Sequence, residues 1–227
     1  MENFFNAIAE GKSEDLGLML EKNPDLIQLK TNSGLSGVMV AIYYGKTEIV
    51  DLLIEKGAFL SIFEASSLGR DDLVLEYLKQ EPSLVDMLSP DGFTSLHLAS
   101  FFGQEETVRM LLNYGADPNI TSKNEQSVTP LHSSVAADNF NITEMLVNSG
   151  GDVNRTQKGG FTPLHEAALN GNYEIVQLLL EHGANMNTKN DAGKTSLDLA
   201  LSKTNNKNLA EKRKKVLMTL QDYEKTK

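Results

Sequence analysis

Cysteine is absent from the 227 residues, which excludes a disulfide framework, thiolate metal ligation and a cysteine nucleophile. Long apolar runs are missing too: no window approaches the roughly 18 uninterrupted apolar residues that a membrane span requires. The opening stretch MENFFNAIAEGKSEDLG has neither a basic start nor an extended apolar segment. No secretory signal is expected, and the chain reads as a soluble, cytoplasmic protein without a membrane role. Positive charge is scarce. The formal charge is −10, and from Leu201 onward there are eight Lys or Arg against three Asp or Glu, which puts the tail at +5 and the first 200 residues at −15. An acidic body argues against nucleic acid as a partner and favours basic or mixed surfaces. Phosphate-cradling G-x-x-x-x-G-K-[ST], dinucleotide G-x-G-x-x-G, and the serine settings G-x-S-x-G and S-x-x-K are all lacking. No catalytic residue and no cofactor is expected.

What the chain has in abundance is self-similarity. The segments GFTSLHLASFFGQEETVRMLLNYGADPN, SVTPLHSSVAADNFNITEMLVNSGGDVN and GFTPLHEAALNGNYEIVQLLLEHGANMN align end to end, and GKTSLDLAL begins a further copy. Thr94, Thr129, Thr162 and Thr195 recur at intervals of 35, 33 and 33 residues. A small residue followed four later by a turn residue extends the pattern upstream: Ala7/Gly11, Ala41/Gly45, Ala65/Gly69, Ala99/Gly103, Ser134/Asp138 and Ala167/Gly171, with Ala200/Thr204 a degraded last copy. That makes seven units. Apolar residues at 3-and-4 spacing, such as Leu16/Met19/Leu20 and Val108/Leu111/Leu112, give each unit a second amphipathic helix.

The pattern resembles the ankyrin repeat family. The T-P-L-H box stands intact at Thr129–His132 and Thr162–His165, and as T-S-L-H at Thr94–His97; the G-A-D-x-N ending stands at Gly115–Asn119, with variants at Gly150–Asn154 and Gly183–Asn187. The stretch SPDGFTSLHLASFFG is also similar to small stand-alone bacterial members that carry the same F-F-G. The resemblance implies an all-α solenoid of about seven helix-turn-helix units with short β-hairpin-like turns between them. One domain would span 1–227, with an N-terminal capping repeat at 1–33, central repeats at 34–193 and a C-terminal capping repeat with an insert at 194–227.

Physical chemistry accounts for these residues. Threonine caps a helix N-terminus and proline fits the first helical position. Glycine supplies the left-handed turn that ends each helix, a conformation Asp138 adopts less comfortably. No unit can bury its apolar face alone, so the units must stack. Departures from the pattern carry their own expectations. Only 24 residues separate Ala41 from Ala65, so GAFLSIFEA leaves little room for a projecting turn and the row of turns should have a gap. TSKNEQS is two residues longer than its counterparts and should project. After the insert SKTNNKN, Leu209, Val216, Leu217 and Leu220 should cover the end of the core, leaving Lys212, Arg213, Lys214 and Lys215 in solvent. Met1 to about Gln28 should cap the other end, acidic residues outward.

The evenly spaced His97, His132 and His165 suggest a metal ladder. Equivalent positions of a stack lie a unit apart, however, far beyond the roughly 2 Å bonds of one zinc site. The resemblance instead implies that they hydrogen-bond across the turns, and no metal ligand is expected. His182, before a glycine at a helix end, reads as a surface residue. Glu105/Glu106 and Asp71/Asp72 open second helices, where negative charge suits the helix dipole.

The resemblance also implies where a partner would sit: on the turn tips and the inward end of each first helix. The contact positions fall one residue before the T-P-L-H box and two and three residues after the small residue. Six of the fifteen aromatic residues lie on this strip. The candidate contact residues are Tyr43, Tyr44, Leu68, Phe93, Phe101, Phe102, Phe161 and Asn170. Exposed aromatics in a strip are typical interface anchors, although one ring of each pair can instead tuck between first helices as core. The expected function is a non-enzymatic scaffold holding a protein partner, with a monomer favoured over a homodimer. The alternatives are a homo-oligomer built on the same strip and a secreted, host-directed bacterial effector.

Overall fold

The computed structural model describes residues 2–225, and its helices come in pairs. They are α1 (Glu2–Glu10) with α2 (Ser13–Lys22), α3 (Gly37–Tyr43) with α4 (Thr47–Glu55), α5 (Ile62–Leu68) with α6 (Asp71–Gln80), and α7 (Ser95–Phe101) with α8 (Glu105–Asn113). Next come α9 (Pro130–Ala136) with α10 (Phe140–Asn148), α11 (Pro163–Asn170) with α12 (Tyr173–Glu181), and α13 (Ser196–Ala200) with α14 (Lys207–Lys225). First helices pack on first helices along the stack, and α12 packs on α14 at its end. The chain is an all-α solenoid. Among the described residues the only β structure is two isolated antiparallel bridges, Lys30 with Ser36 and Leu88 with Thr94. No described helix is long and apolar enough to cross a membrane.

Each first helix after α1 begins on a Ser or Thr N-cap: Ser36, Ser61, Thr94, Thr129, Thr162 and Thr195. Such a cap contributes about 1 kcal/mol. In all but α3 the third helical residue reaches back to the cap, as Glu64, His97, His132, His165 or Asp198. The S-x-x-E box at Ser61–Glu64 is a recognised helix-start signal, but it does not align with T-P-L-H and so escapes a search for that box.

The three histidines do more than cap. The Nδ1 atoms of His97, His132 and His165 accept the backbone N–H of Thr94, Thr129 and Thr162 at 3.2, 3.3 and 3.1 Å. Each Nε2 then donates to a carbonyl of the next unit's turn: Val128 at 3.0 Å, Phe161 at 3.3 Å and Lys194 at 3.1 Å. This fixes the neutral, Nε2-protonated tautomer. Burial pushes His97 and His132 down to about 4 and also lowers His165. Backbone bonds stitch the turn tips as well: Lys123 N–H to Gly92 O, Lys158 N–H to Gln126 O and Asp191 N–H to Gly159 O.

The apolar faces merge into two clusters. One joins Phe4, Ile8, Met39 and Leu53 of the first two units, the other runs from Ile62 to Leu220, and Phe63 packs on both. Each fully buried Leu or Ile contributes about 1.5–3 kcal/mol.

Several local expectations are modified. Asp138 does take the left-handed conformation, at φ +57°, and its carboxylate accepts from Asn172 at 2.6 Å. The finger between α4 and α5 is missing, yet the row is not simply open. A Cβ on Gly34 would lie 3.0 Å from the Pro90 Cβ, so the flanking tips meet over a cavity of about 190 Å³. The long tip between Ser122 and Val128 is held by both neighbours through Lys123 and Gln126. Arg213 corrects the reading of α14: it is buried rather than solvated. Its Nε donates to Leu169 O at 2.7 Å, and its Nη1 to Ser202 O and Oγ at 3.0 and 2.9 Å. It thereby satisfies a carbonyl at the end of α11 and another just after α13. Lys212, Lys214 and Lys215 are exposed, while Val216 and Leu220 are buried. At the other end Glu10, Glu14, Asp15 and Glu21 face solvent; Met1 lies outside the described residues.

Two measurements check this account. A Cβ on Gly171 would fall 2.8 Å from the Lys212 Cβ, at φ +77°, whereas one on Gly57 would meet nothing within 4 Å, at φ +87°. Urea unfolding should therefore show Gly57→Ala costing about 1 kcal/mol from backbone conformation alone, and Gly171→Ala costing about 2–4 kcal/mol. Equal losses would mean that α14 does not dock there. The histidines set the pH response. Unfolded histidine binds a proton near pH 6.5, while His97 and His132 do so in the fold only near 4. The unfolded state holds more protons between those values, so stability should fall as pH drops from about 6.5 to 4, by about 2–3 kcal/mol for each of the two. A urea midpoint unchanged between pH 7 and 4.5 would contradict it.

Candidate recognition groove

Short first helices bring their last residues up to the turn tips, and this juxtaposition makes one face. All eight anticipated contact residues retain solvent access. Tyr44 is 61 % exposed, Phe101 48 % and Tyr43 38 %, while Leu68, Phe93, Phe102, Phe161 and Asn170 are half-buried.

The aromatic pair of α7 divides its labour. Phe101 projects, and Phe102 meets it edge-on at 5.2 Å while packing against the N-terminal core cluster. Phe102 also reaches across the short third unit to the Tyr43 ring, 6.0 Å away. The pair of the second unit divides differently. The Tyr43 hydroxyl donates to the Asp91 carboxylate in the tip before α7, and Asp91 accepts a second bond from Ser89 Oγ at 2.6 Å. Burial, followed by the bond to Asp91, raises the Tyr43 pKa and keeps the phenol neutral. Tyr44 turns outward. Phe93 and Phe161 each cover the histidine of their own box, with ring centroids 5.8 Å apart in both cases.

Tyr43, Phe93 and Phe101 come together as walls of one recess of about 340 Å³, completed by Val128 and Ala136 and closed at its far side by Gln157 and Glu166. Leu68 and Phe102 line a separate depression beside Lys46 and Arg70. Tyr44, Phe161 and Asn170 belong to neither.

Glu166 is the residue that the positional reading missed. It follows the box histidine directly, where the preceding units carry Leu98 and Ser133. A charge at a position otherwise small or apolar was the available signal. Burial raises its pKa, and the carboxylate accepts a single long bond, from Gln157 Nε2 at 3.4 Å. His97 and His132 also face the recess, but both nitrogens of each ring are already engaged. Among the described residues no three His, Cys, Asp or Glu side chains are arranged to hold a metal. The recess offers apolar contact, polar rims and one carboxylate.

Known proteins agree with the architecture. The family description "Ankyrin repeats (3 copies)" matches residues 4–122, 62–157, 117–190 and 149–212. The human DNA-binding protein RFXANK is 43 % identical over 74 residues, which cover 33 % of this chain and 28 % of that protein. The putative ankyrin repeat protein FPV031 of Fowlpox virus is 37 % identical over 144 residues, 57 % of this chain and 42 % of its own length. The target of rapamycin complex 2 subunit AVO2 of Saccharomyces cerevisiae is 25 % identical over 156 residues, 63 % and 36 % respectively. The chain thus spans less than half of each of these relatives. They are human, viral and fungal, so the bacterial source expected from the F-F-G stretch gains no support from them. With overlapping matches from residue 4 to residue 212, the chain belongs to the ankyrin repeat family.

Proposed function

We propose that this protein is a non-enzymatic scaffold that holds a protein partner in the concave groove between its first helices and turn tips. The observation that carries this reading is the exposure of Tyr44 and Phe101 at 61 % and 48 % on that face. Large rings left in water on one strip are an unfavourable surface for a stack that does not use them, and aromatics dominate binding hot spots. Ankyrin repeats generally mediate protein–protein interaction, and one relative is by name a subunit of a protein complex. Another is by name a DNA-binding protein. Here the −15 carried by the first 200 residues opposes a phosphate backbone and supports a protein partner with a basic or mixed surface.

The division of the aromatic pairs selects the test. Phe101→Ala with Tyr44→Ala should abolish capture of the partner in a pull-down read by mass spectrometry, with the melting temperature nearly unchanged. Phe102→Ala should instead destabilise the fold by about 2–3 kcal/mol, because that ring packs on the core. Undiminished capture by the Phe101/Tyr44 double variant would overturn the reading. Light scattering covers the remaining occupant of the same strip: a mass that rises with concentration, and stops rising in the double variant, would replace the partner with a second copy of this chain.

A further inference from the structure

The recess beside Phe101 is uniform in character except at one point. Tyr43, Phe93, Phe101 and Val128 give it apolar walls, and among the described residues Glu166 is the only carboxylate that lines it. That carboxylate is half-buried and accepts one long bond, although an ionised carboxylate can accept about four. Partial burial without full pairing is costly for a charge, and the pKa of Glu166 is raised accordingly. Two cations of the turn tips serve other groups: Lys158 pairs with Glu125 at 3.2 Å and Arg155 donates to Thr121 Oγ1 at 3.3 Å. His97 and His132 stay neutral, with both ring nitrogens bonded. No ion pair among the described residues includes Glu166, so a positive charge brought by a partner would find an unpaired carboxylate on a body that is already strongly negative.

We infer that the recess receives an extended segment of the partner carrying an apolar side chain against Phe101 and, next to it, a lysine or arginine whose charge meets Glu166. The inference rests on the groove being the protein-binding face. Its volume, about 340 Å³, is at the small end of ligand pockets, roughly 300–1,000 Å³, and suits one or two side chains. The two contacts are complementary. Aromatic walls remove water from the aliphatic stem, and a desolvated carboxylate gains more from a cation than a solvated one does. The rings of Phe93 and Phe101 add a favourable environment for the same cation.

Small probes test it without a known partner. 4-Phenylbutylammonium, 4-phenylbutanol and 5-phenylpentanoate share one apolar body, a phenyl ring with four methylenes, and differ in charge. Titrated into the ¹⁵N-labelled chain, the ammonium should bind tightest and the carboxylate weakest, moving the amides of Val128, Ala136, Gln157 and Glu166. Glu166→Gln should weaken the ammonium about tenfold and change the alcohol less than about twofold, with an unchanged or raised melting temperature. Phe101→Ala should weaken all three. Equal binding of the three probes, or an ammonium unaffected by Glu166→Gln, overturns the cation while leaving the groove reading standing. If no probe moves the groove amides, the recess is not a side-chain receptor. Whether the face binds protein at all is decided separately, by capture with the Tyr44 and Phe101 double variant.

Discussion

A hairpin of one seven-residue helix and one nine-residue helix cannot cover its own apolar face. Everything else in this molecule follows from that. Each unit borrows its neighbour's surface, so the helix starts and turn tips of adjacent units must keep register over the whole stack. The histidines enforce that register, each holding its own threonine through Nδ1 and the next turn's carbonyl through Nε2. The ends need separate solutions. At the C-terminus α14 lies against α11, α12 and α13, and Arg213 enters the structure to satisfy the carbonyls of Leu169 and Ser202.

The same constraint explains why the recess sits where it does. The third unit is short and sends out no finger, so the second and fourth units approach each other across it. Gly34 then meets Pro90, and Tyr43 reaches Asp91. A tyrosine of the second unit thereby joins Phe93 and Phe101 of the fourth as walls of one cavity. In a perfectly regular stack a finger would stand between them. The irregularity that weakens the repeat is what gathers the aromatics.

Much of this was legible in the sequence, and the division follows physical range. Caps, left-handed turns, the short third unit and the strained Asp138 obey local rules, and reading Thr94, Gly103 or the interval from Ala41 to Ala65 sufficed. The fate of adjacent rings was not legible. Phe101 and Phe102 are consecutive at a helix end, so they point about 100° apart, and the N-terminal core cluster together with Tyr43 decides which is inward. Arg213 looked like one more cation on a wet face because its acceptors, Leu169 O and Ser202 O, belong to other elements. Glu166 lies one residue past the box histidine, outside the three positions per unit that the ankyrin resemblance marks as contacts.

The proposed partner meets the face of first helices and turn tips, and not the outer row of second helices. Hydrogen exchange on the captured complex reads it directly. The account expects slowed exchange in the turn tips at residues 89–93, 122–128 and 157–161 and at the ends of α7 and α9, with α8, α10 and α12 unchanged. Slowing confined to α8, α10 and α12, with the tips as fast as in the free chain, would contradict it.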